Sequence, residues 1–404
     1  MSNRLRDLAE VHYGKSPNDV LSEDSTVPVI GTGGIYGRAS RSLFSGPAVV
    51  VARKGTLGTP QFVDEPFWPV DTTYAVLAKP GVDTKWLYYS LAAFDLSKLN
   101  EATGVPSISR DWLYKIMLGS ADFDTQCRIA EILSTLDEAI EQTEALIAKH
   151  QQIKAGLMHD LFTRGITPDG HLRPAREQAH DLYKESLLGW IPKEWEVRQV
   201  KDVISGIEQG WSPDCEHEPA GNQEWGVLKT SSVVWGGFDR TENKRLPTYL
   251  LPRPDLRINK GDVLMTRAGP NSRVGVVALV DIEPGRLMLS DKIYRLVPVA
   301  GLSSEFLTVA LSSAATQHDL DSFKTGLAES QTNISQAIVR RLSLPIPKKD
   351  EREAICKRIS VVTDQIRATG LHYSKLQTLK HGLMHDLLAG HVRVKFTEKR
   401  DAHG

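Results

Sequence analysis

Gly156-Leu157-Met158-His159-Asp160-Leu161 returns unchanged as Gly382-Leu383-Met384-His385-Asp386-Leu387, 226 residues further on. Held at that offset, the match runs back without a gap to Asp124 and Asp350. Ile129 meets Ile355, Ser134 meets Ser360, Ile140 meets Ile366 and Thr143 meets Thr369. Lys149, Gln151 and Lys154 meet Lys375, Gln377 and Lys380. The chain is a tandem duplication with a unit of about 200 residues, too long for a solenoid repeat.

The copied segment reads as helix. Ile129, Leu133, Leu136, Ile140, Thr143, Ile147 and His150 follow a 4-3-4-3 spacing, continued by Leu157 and Leu161. The second copy gives Ile355, Ile359, Val362, Ile366, Thr369, Tyr373 and Leu376, then Leu383 and Leu387. That is the seam of a coiled coil. No proline interrupts residues 124–163 or 350–391. Asp122, Asp124, Asp350, Glu351 and Glu353 suit helix N-termini. Each helix of about 38 residues would be about 57 Å long. Matched seams favour two helices packing on each other over two separate core helices.

Upstream of each helix lies a strand-rich region bounded by glycines. Residues 28–37, 46–53 and 72–77 are β-type runs in the first copy. Residues 225–235, 262–267, 274–280 and 292–297 play that part in the second. The copies correspond here only by framework. Residues 49–55 (VVVARKG) resemble 263–269 (VLMTRAG), and 71–77 (DTTYAVL) resemble 291–297 (DKIYRLV). Both copies then run through Ile-Ser, at 108–109 and 334–335, into a short helix and a strand-like exit. The expected division is residues 1–121 globular, 122–163 helix, 164–193 turn-rich linker, 194–347 globular, 348–391 helix and 392–404 polar tail. The fold class is an α/β (α+β) two-module tandem repeat.

Chemical motifs are missing. In Gly31-Thr32-Gly33-Gly34-Ile35-Tyr36-Gly37, Tyr36 occupies the third glycine of a dinucleotide fingerprint and no apolar-periodic helix follows. Glycines at a turning strand end are the better reading. Gly14-Lys15-Ser16 lacks a phosphate loop's first glycine, since Ala9 stands there, and Pro17 follows. The twelve histidines offer no metal-spaced pair. His159 and His385 recur at helix ends, where a favourable helix-end charge explains them. No catalytic constellation and no metal site is expected.

The 404 residues carry 41% hydrophobic and 25% charged side chains and a net charge of −1, which excludes a polycationic tail protein. The longest apolar runs are strand-sized, far short of the ~20 residues of a membrane helix. Residues 1–10 lack the apolar centre of a signal peptide. Three dispersed cysteines, Cys127, Cys215 and Cys356, point to a reducing, cytoplasmic setting.

Charge is unevenly placed. No acid lies between Asp24 and Asp64, a span holding Arg38, Arg41, Arg53 and Lys54. None lies in residues 263–280, which hold Arg267 and Arg273. Arg53 and Arg267 occupy matched positions. Tyr36, Ser40, Ser42, Lys229, Thr230, Ser231, Ser232, Trp235 and Asn271 lie near these spans in sequence. Arg, Lys, Ser and Asn are side chains that read base edges, and local basic faces on a neutral protein fit DNA binding when partners add charge. The loops carrying Val105 and Ser107, and Gln331 and Asn333, are a second candidate DNA contact. On the polar side of the seams, Glu131, Glu138, Glu141, Lys357, Asp364 and Arg367 are candidates for holding a partner protein.

The order of these motifs resembles the specificity (S) subunits of Type I restriction-modification systems. Its carriers are Ile108-Ser109, Leu113 and Ile116, then Gln126, Ile129-Ala130, Ile132-Leu133, Leu136-Asp137 and Ile140, closed by Lys154, Gly156-Leu157-Met158 and Leu161. In the second copy they are Gln331, Ile334-Ser335, Pro345-Ile346-Pro347, Ile355, Ile359, Ile366, Lys380, Gly382-Leu383-Met384 and Leu387. Residues 189–195 (GWIPKEW) look like a module opener. The second helix departs by carrying Arg352 for Gln126 and Thr363 for Asp137.

The resemblance implies two target recognition domains separated by two long helices in an antiparallel coiled coil. Each domain would read half of a split double-stranded DNA site, and the helices would set the gap. The S subunit would be non-catalytic and bind no cofactor of its own. It would recruit two modification subunits, and through them two restriction subunits. Those partners would bind S-adenosylmethionine, ATP and magnesium. A modification-only system is a variant of this reading. Two readings from other classes are a non-catalytic coiled-coil scaffold with two protein-binding heads, and a small-molecule enzyme around Gly31–Gly37. The scaffold would show no salt-dependent DNA retention. The enzyme would need convergent titratable groups that the sequence does not offer.

Overall fold

The computed structural model describes residues 2–324 and 332–394. The chain divides into two compact units, residues 1–146 with 369–404, and residues 147–368. The long helices are Phe123–Thr163, with 41 residues, and Lys349–Leu388, with 40. Each crosses the division, so each unit holds one globular domain and part of both helices.

In the first unit, a four-stranded antiparallel sheet runs in the order Ala9–Tyr13, Thr73–Ala78, Ala48–Ala52, Gln61–Val63. Ala48–Ala52 is buried throughout, because both faces of its sheet are covered. Val49 and Val51 join Leu5, Val11, Tyr74, Val76 and Trp86 in one core, while Ala48 and Val50 join Ile30, Phe67 and Ala75 in another. A smaller sheet orders Gly34–Ala39, Val27–Gly31 and Trp68–Pro69, the last pair parallel. Residues 28–37 are therefore a hairpin rather than one run. Thr32 and Gly33 form its loop, and Gly34 adopts φ +115°, which glycine tolerates at no steric cost.

The second unit repeats this framework. Its four-stranded sheet orders Ile204–Gln209, Ile293–Pro298, Val263–Thr266 and Val277–Leu279. Val263 and Met265 face one core with Tyr294 and Phe306, and Leu264 faces another with Ala278 and Ile293. The small sheet orders Asn243–Arg245, Gly226–Leu228 and Leu287–Met288, again with one parallel pair. Where the first copy has a two-residue turn, the second inserts residues 229–242, including the strand pair Val233–Val234 with Gly237–Phe238.

The Ile-Ser pair acquires a physical meaning. Ile108 and Ile334 are buried, and Ser109 and Ser335 cap the following helices by accepting from the N–H groups of Trp112 and Ile338.

Within each unit the long helices pair antiparallel. In the first, Ile129, Ala130 and Leu133 near one helix start share a core with Leu387, while Leu383, Met384 and Leu388 pack against it. In the second, Leu161 and Phe162 near the first helix's end share a core with Ile355 and Ile359. The seam residues are buried or half-buried from Ile129 to His150 and from Ile355 to Leu376. This is the coiled-coil pairing expected of the matched seams.

The segment after the first long helix is ordered. Gly165 sits at φ +66°, and a Cβ there would collide with Glu351, Arg173 and Trp195 side chains. Tyr183–Ser186 then pairs with Gly189–Pro192. Glu351 gathers this corner. It accepts from the Ile166 N–H at 2.7 Å, from Arg173 Nη2 at 3.2 Å and from Trp195 Nε1 at 3.0 Å. Among the described residues, no helix is long and apolar enough to cross a membrane.

Candidate nucleic-acid interface

The matched arginines lie just past the ends of matched strands and make matched contacts. The Arg53 N–H donates to the Thr72 carbonyl at 2.8 Å, and its own carbonyl accepts from the Ile108 N–H at 2.9 Å. The Arg267 N–H donates to the Lys292 carbonyl at 2.9 Å, and its carbonyl accepts from the Ile334 N–H at 2.9 Å. Arg53 Nη1 donates to the Asp71 carbonyl, and Arg267 Nη1 to the Asp291 carbonyl, both at 3.2 Å. Tyr74 donates its hydroxyl to the Ile108 carbonyl at 3.1 Å, and Tyr294 to the Ile334 carbonyl at 3.2 Å. Each node thus ties a strand end, the loop before the next strand, and the Ile-Ser segment.

The electrostatics agree between copies. Burial, with Tyr13 nearby, pushes the Tyr74 phenol up to about 12, partly offset by the Arg53 charge. Burial raises the Tyr294 phenol, offset by Arg267. The Arg267 guanidinium stacks over the Tyr294 ring at 5.4 Å. In the first copy Tyr13 lies between Arg53 at 5.0 Å and Arg110 at 5.1 Å. Sequence reasoning paired the two arginines and the two tyrosine-bearing motifs. It did not assign Tyr74, Tyr294 or Arg110 a place in the site.

In the first unit, Tyr36 is 68% exposed on the hairpin strand Gly34–Ala39 of the smaller sheet. Arg38 is exposed and donates to the Thr26 carbonyl at 2.8 Å. Arg41 is exposed and reaches over the Trp68 ring. Lys54 is exposed and bridges to Ser107 through the backbone, so the Val105–Ser107 loop meets the node.

Around the second node, Arg267 Nη2 donates to Asn333 Oδ1 at 3.0 Å, and Ala268–Gly269 pairs with Thr332–Asn333. Asn271 and Arg273 form the turn that follows. Gln331 lies outside the described residues. Lys229 and Ser231 both engage Glu242, at 3.7 Å for the lysine. Trp235 is elsewhere. It lines a cavity of about 340 Å³ with Phe238, Asp281, Thr363, Ile366 and Arg367, against the second long helix.

All six candidate partner residues are exposed. Glu131 pairs with Arg128, and Arg367 with Asp281. Glu138, Glu141 and Lys357 make no ion pair among the described residues.

The duplicated frameworks that carry the two arginine-centred nodes lie within two matches to a known family. The family described as Type I restriction modification DNA specificity domain matches residues 1–151 and 192–377. The chain belongs to this family. It is 37% identical over 197 residues to the specificity subunit of the Type I restriction enzyme EcoEI of Escherichia coli, an alignment covering 48% of the chain and 33% of that relative. The chain thus spans about a third of that relative's length. It is 26% identical over 327 residues to the MjaVIII specificity subunit of Methanocaldococcus jannaschii, covering 78% of the chain and 71% of that protein. The fold is similar to the crystal structure of a Type I restriction-modification S subunit from M. genitalium. That match has a TM-score of 0.63 and 14% identity, covering 98% of this chain and 96% of that one.

Proposed function

We propose that each globular domain, residues 1–121 and 194–347, reads one half of a bipartite double-stranded DNA site. The long helices set the unread gap between the halves. They recruit two methyltransferase (modification) subunits and, through them, two ATP-dependent restriction subunits. The chain itself performs no chemistry and works in the cytoplasm. S-adenosylmethionine, ATP and magnesium belong to the partners.

The observation that carries this reading is the repeated node, Arg53–Tyr74–Ile108 and Arg267–Tyr294–Ile334. The same clasp is kept in both copies, while the surface around it differs. Lys54 flanks one node, while Tyr36 and Arg38 lie on the hairpin strand Gly34–Ala39 of the same unit and Arg41 just after it. Asn271, Arg273 and Asn333 follow or pair with the other node's strand end, and Lys229, Ser231 and Trp235 lie on the second copy's insertion, while Gln331 is a candidate from the sequence alone. A constant scaffold with variable surroundings suits two readers of different sequences. Phosphate contacts would position each domain, and base-edge contacts would specify its half-site. The seam's outer acids Glu131, Glu138 and Glu141, with Lys357, Asp364 and Arg367, are the proposed partner contacts.

The test is the methylome of a host expressing this chain with its neighbouring modification subunit, against the modification subunit alone. N6-methyladenine at one bipartite motif, appearing only with this chain, is the expected result. A well-expressed, co-purifying pair that leaves no new methylated motif overturns the DNA-reading assignment.

A further inference from the structure

The second long helix ends in a turn that the duplicated first helix does not reproduce. Gly390 adopts φ +72°, its N–H donates to the Leu387 carbonyl at 3.3 Å, and the His391 N–H donates to the Asp386 carbonyl at 2.9 Å. This is the paired-bond termination that folds the second residue past the cap back over the last helical turn, where an apolar contact commonly sits. In the first copy that contact is present. Gly165 takes the left-handed position, and the residue after it, Ile166, is buried in the core. In the second copy the returning residue is His391, and it returns onto His385 and Asp386.

We propose that His385, Asp386 and His391 form a binding site for a divalent cation of the zinc class. One donor atom from each of the three lies within 4.8 Å of the others. His385 Nδ1 is 3.1 Å and His391 Nδ1 3.8 Å from the same oxygen, Asp386 Oδ1. Tetrahedral zinc with bonds of about 2.0–2.1 Å sets its ligands about 3.3 Å apart, so small side-chain rotations close the set. Two imidazoles and one carboxylate are donors of the zinc, nickel and cobalt type rather than the all-oxygen set of calcium or magnesium. Water fills the remaining position, since all three side chains are solvent-accessible.

The first copy is a built-in control. His159 and Asp160 match His385 and Asp386, but the residue after the left-handed glycine is Ile166 where the second copy has His391, the sequence offset itself placing Gly165 opposite His391, and Arg164 sits 3.7 Å from the Asp160 carboxylate. Among the described residues it has two potential ligands and no third within reach. A cation at the second site would fasten the chain after the helix, where Val394 packs against the first unit's core.

The test is zinc titration of the full chain by calorimetry, with His391→Leu, Asp386→Asn and His159→Ala alongside. His391→Leu restores the apolar contact of the first copy, so it removes the ligand without removing the turn. Asp386→Asn keeps the side chain's shape. The parent and His159→Ala are expected to bind one zinc with equal affinity. His391→Leu and Asp386→Asn are expected to lose at least about tenfold, the loss that even an outer-shell partner brings. Zinc is also expected to raise the melting temperature of the parent and not of His391→Leu. Absence of zinc binding by the parent, or undiminished binding by both ligand variants with unchanged helicity, overturns the proposal.

Discussion

Lys380 and Asp137 form an ion pair between the two long helices, and Tyr89 donates its hydroxyl to the same carboxylate at 2.7 Å. The duplicated counterparts of this pair are Lys154 and Thr363, so the second copy keeps the lysine without the acid. Asp137→Ala removes an acceptor from a half-buried cation and a buried phenol. It is expected to destabilise the chain by about 1–3 kcal/mol. Thr363→Asp supplies the missing acid and is expected to raise the unfolding midpoint. Urea unfolding of both variants checks this, and a neutral or destabilising Thr363→Asp contradicts it.

Lys154 itself carries a pH signature. Its ammonium lies beside the Gly236 turn, and burial, with repulsion from Arg367, lowers its pKa below the ordinary lysine value of 10.5. The unfolded chain therefore binds more protons between the two values, and stability rises with pH through that window. The penalty is full below the folded-state pKa and absent above the unfolded one. Lys154→Met is expected to stabilise the chain at pH 7, with the gain shrinking as pH approaches 10.5. Denaturant midpoints at pH 7 and pH 10 measure it, and a gain independent of pH would show that packing, not charge, is responsible.

Glu351 is the most heavily engaged carboxylate at the start of the second helix, with Arg173, Trp195 and the Ile166 backbone as donors. Both charged side chains of the Arg173 pair are nearly inaccessible to solvent. Glu351→Ala leaves the buried Arg173 guanidinium with only the more distant and exposed Glu194 carboxylate at 3.9 Å, and is expected to cost about 3 kcal/mol. Denaturant unfolding followed by tryptophan fluorescence checks it, since Trp195 loses a partner in the same step.

The helices were legible because their two sources of information, a gapless match at one fixed offset and a 3.5-residue period, are local and repeated. The central strands Ala48–Ala52 and Thr73–Ala78 of the first module were read within a few residues, but Ala9–Tyr13 and Gln61–Val63, which flank them in the same sheet, were not. The hairpin at Thr32–Gly33 was merged into one run because its turn glycines also resemble a strand terminus. The nodes were half legible. Arg53 and Arg267 stood out by matched position, but Tyr74 reaches the Ile108 carbonyl 34 residues away, and no spacing rule encodes that contact. Trp235 was grouped with the DNA candidates by sequence proximity, whereas the insertion carries it to the second helix beside Ile366. His391 was invisible for a related reason. Its approach to His385 depends on a helix-terminating turn, not on a metal-ligand spacing.

The outer acids of the first helix are the next test. Glu138 and Glu141 are exposed and make no ion pair among the described residues, so their reversal to lysine disturbs no intrachain pair described in this structure. Glu138→Lys with Glu141→Lys is expected to reduce co-purification of the modification subunit while leaving circular dichroism unchanged. Undiminished assembly would place the partner surface elsewhere.

The two nodes make a prediction that separates one half-site from the other. Arg53→Ala and Arg267→Ala are each expected to weaken binding to the cognate site by about 1–3 kcal/mol if the guanidinium reaches a base edge. The loss from Arg53→Ala should be sensitive to substitutions in one half-site only, and that from Arg267→Ala to the other. Tyr74→Phe and Tyr294→Phe remove the hydroxyl that holds the Ile-Ser segment without touching the charge. If those variants reproduce the arginine losses, the arginines act by positioning the loops. If only the arginine variants weaken binding, the guanidinium contacts DNA itself. Competition binding at one fixed salt concentration is the appropriate measurement, since phosphate contacts change affinity with ionic strength. Unmoved affinity in both arginine variants would remove the nodes from the interface.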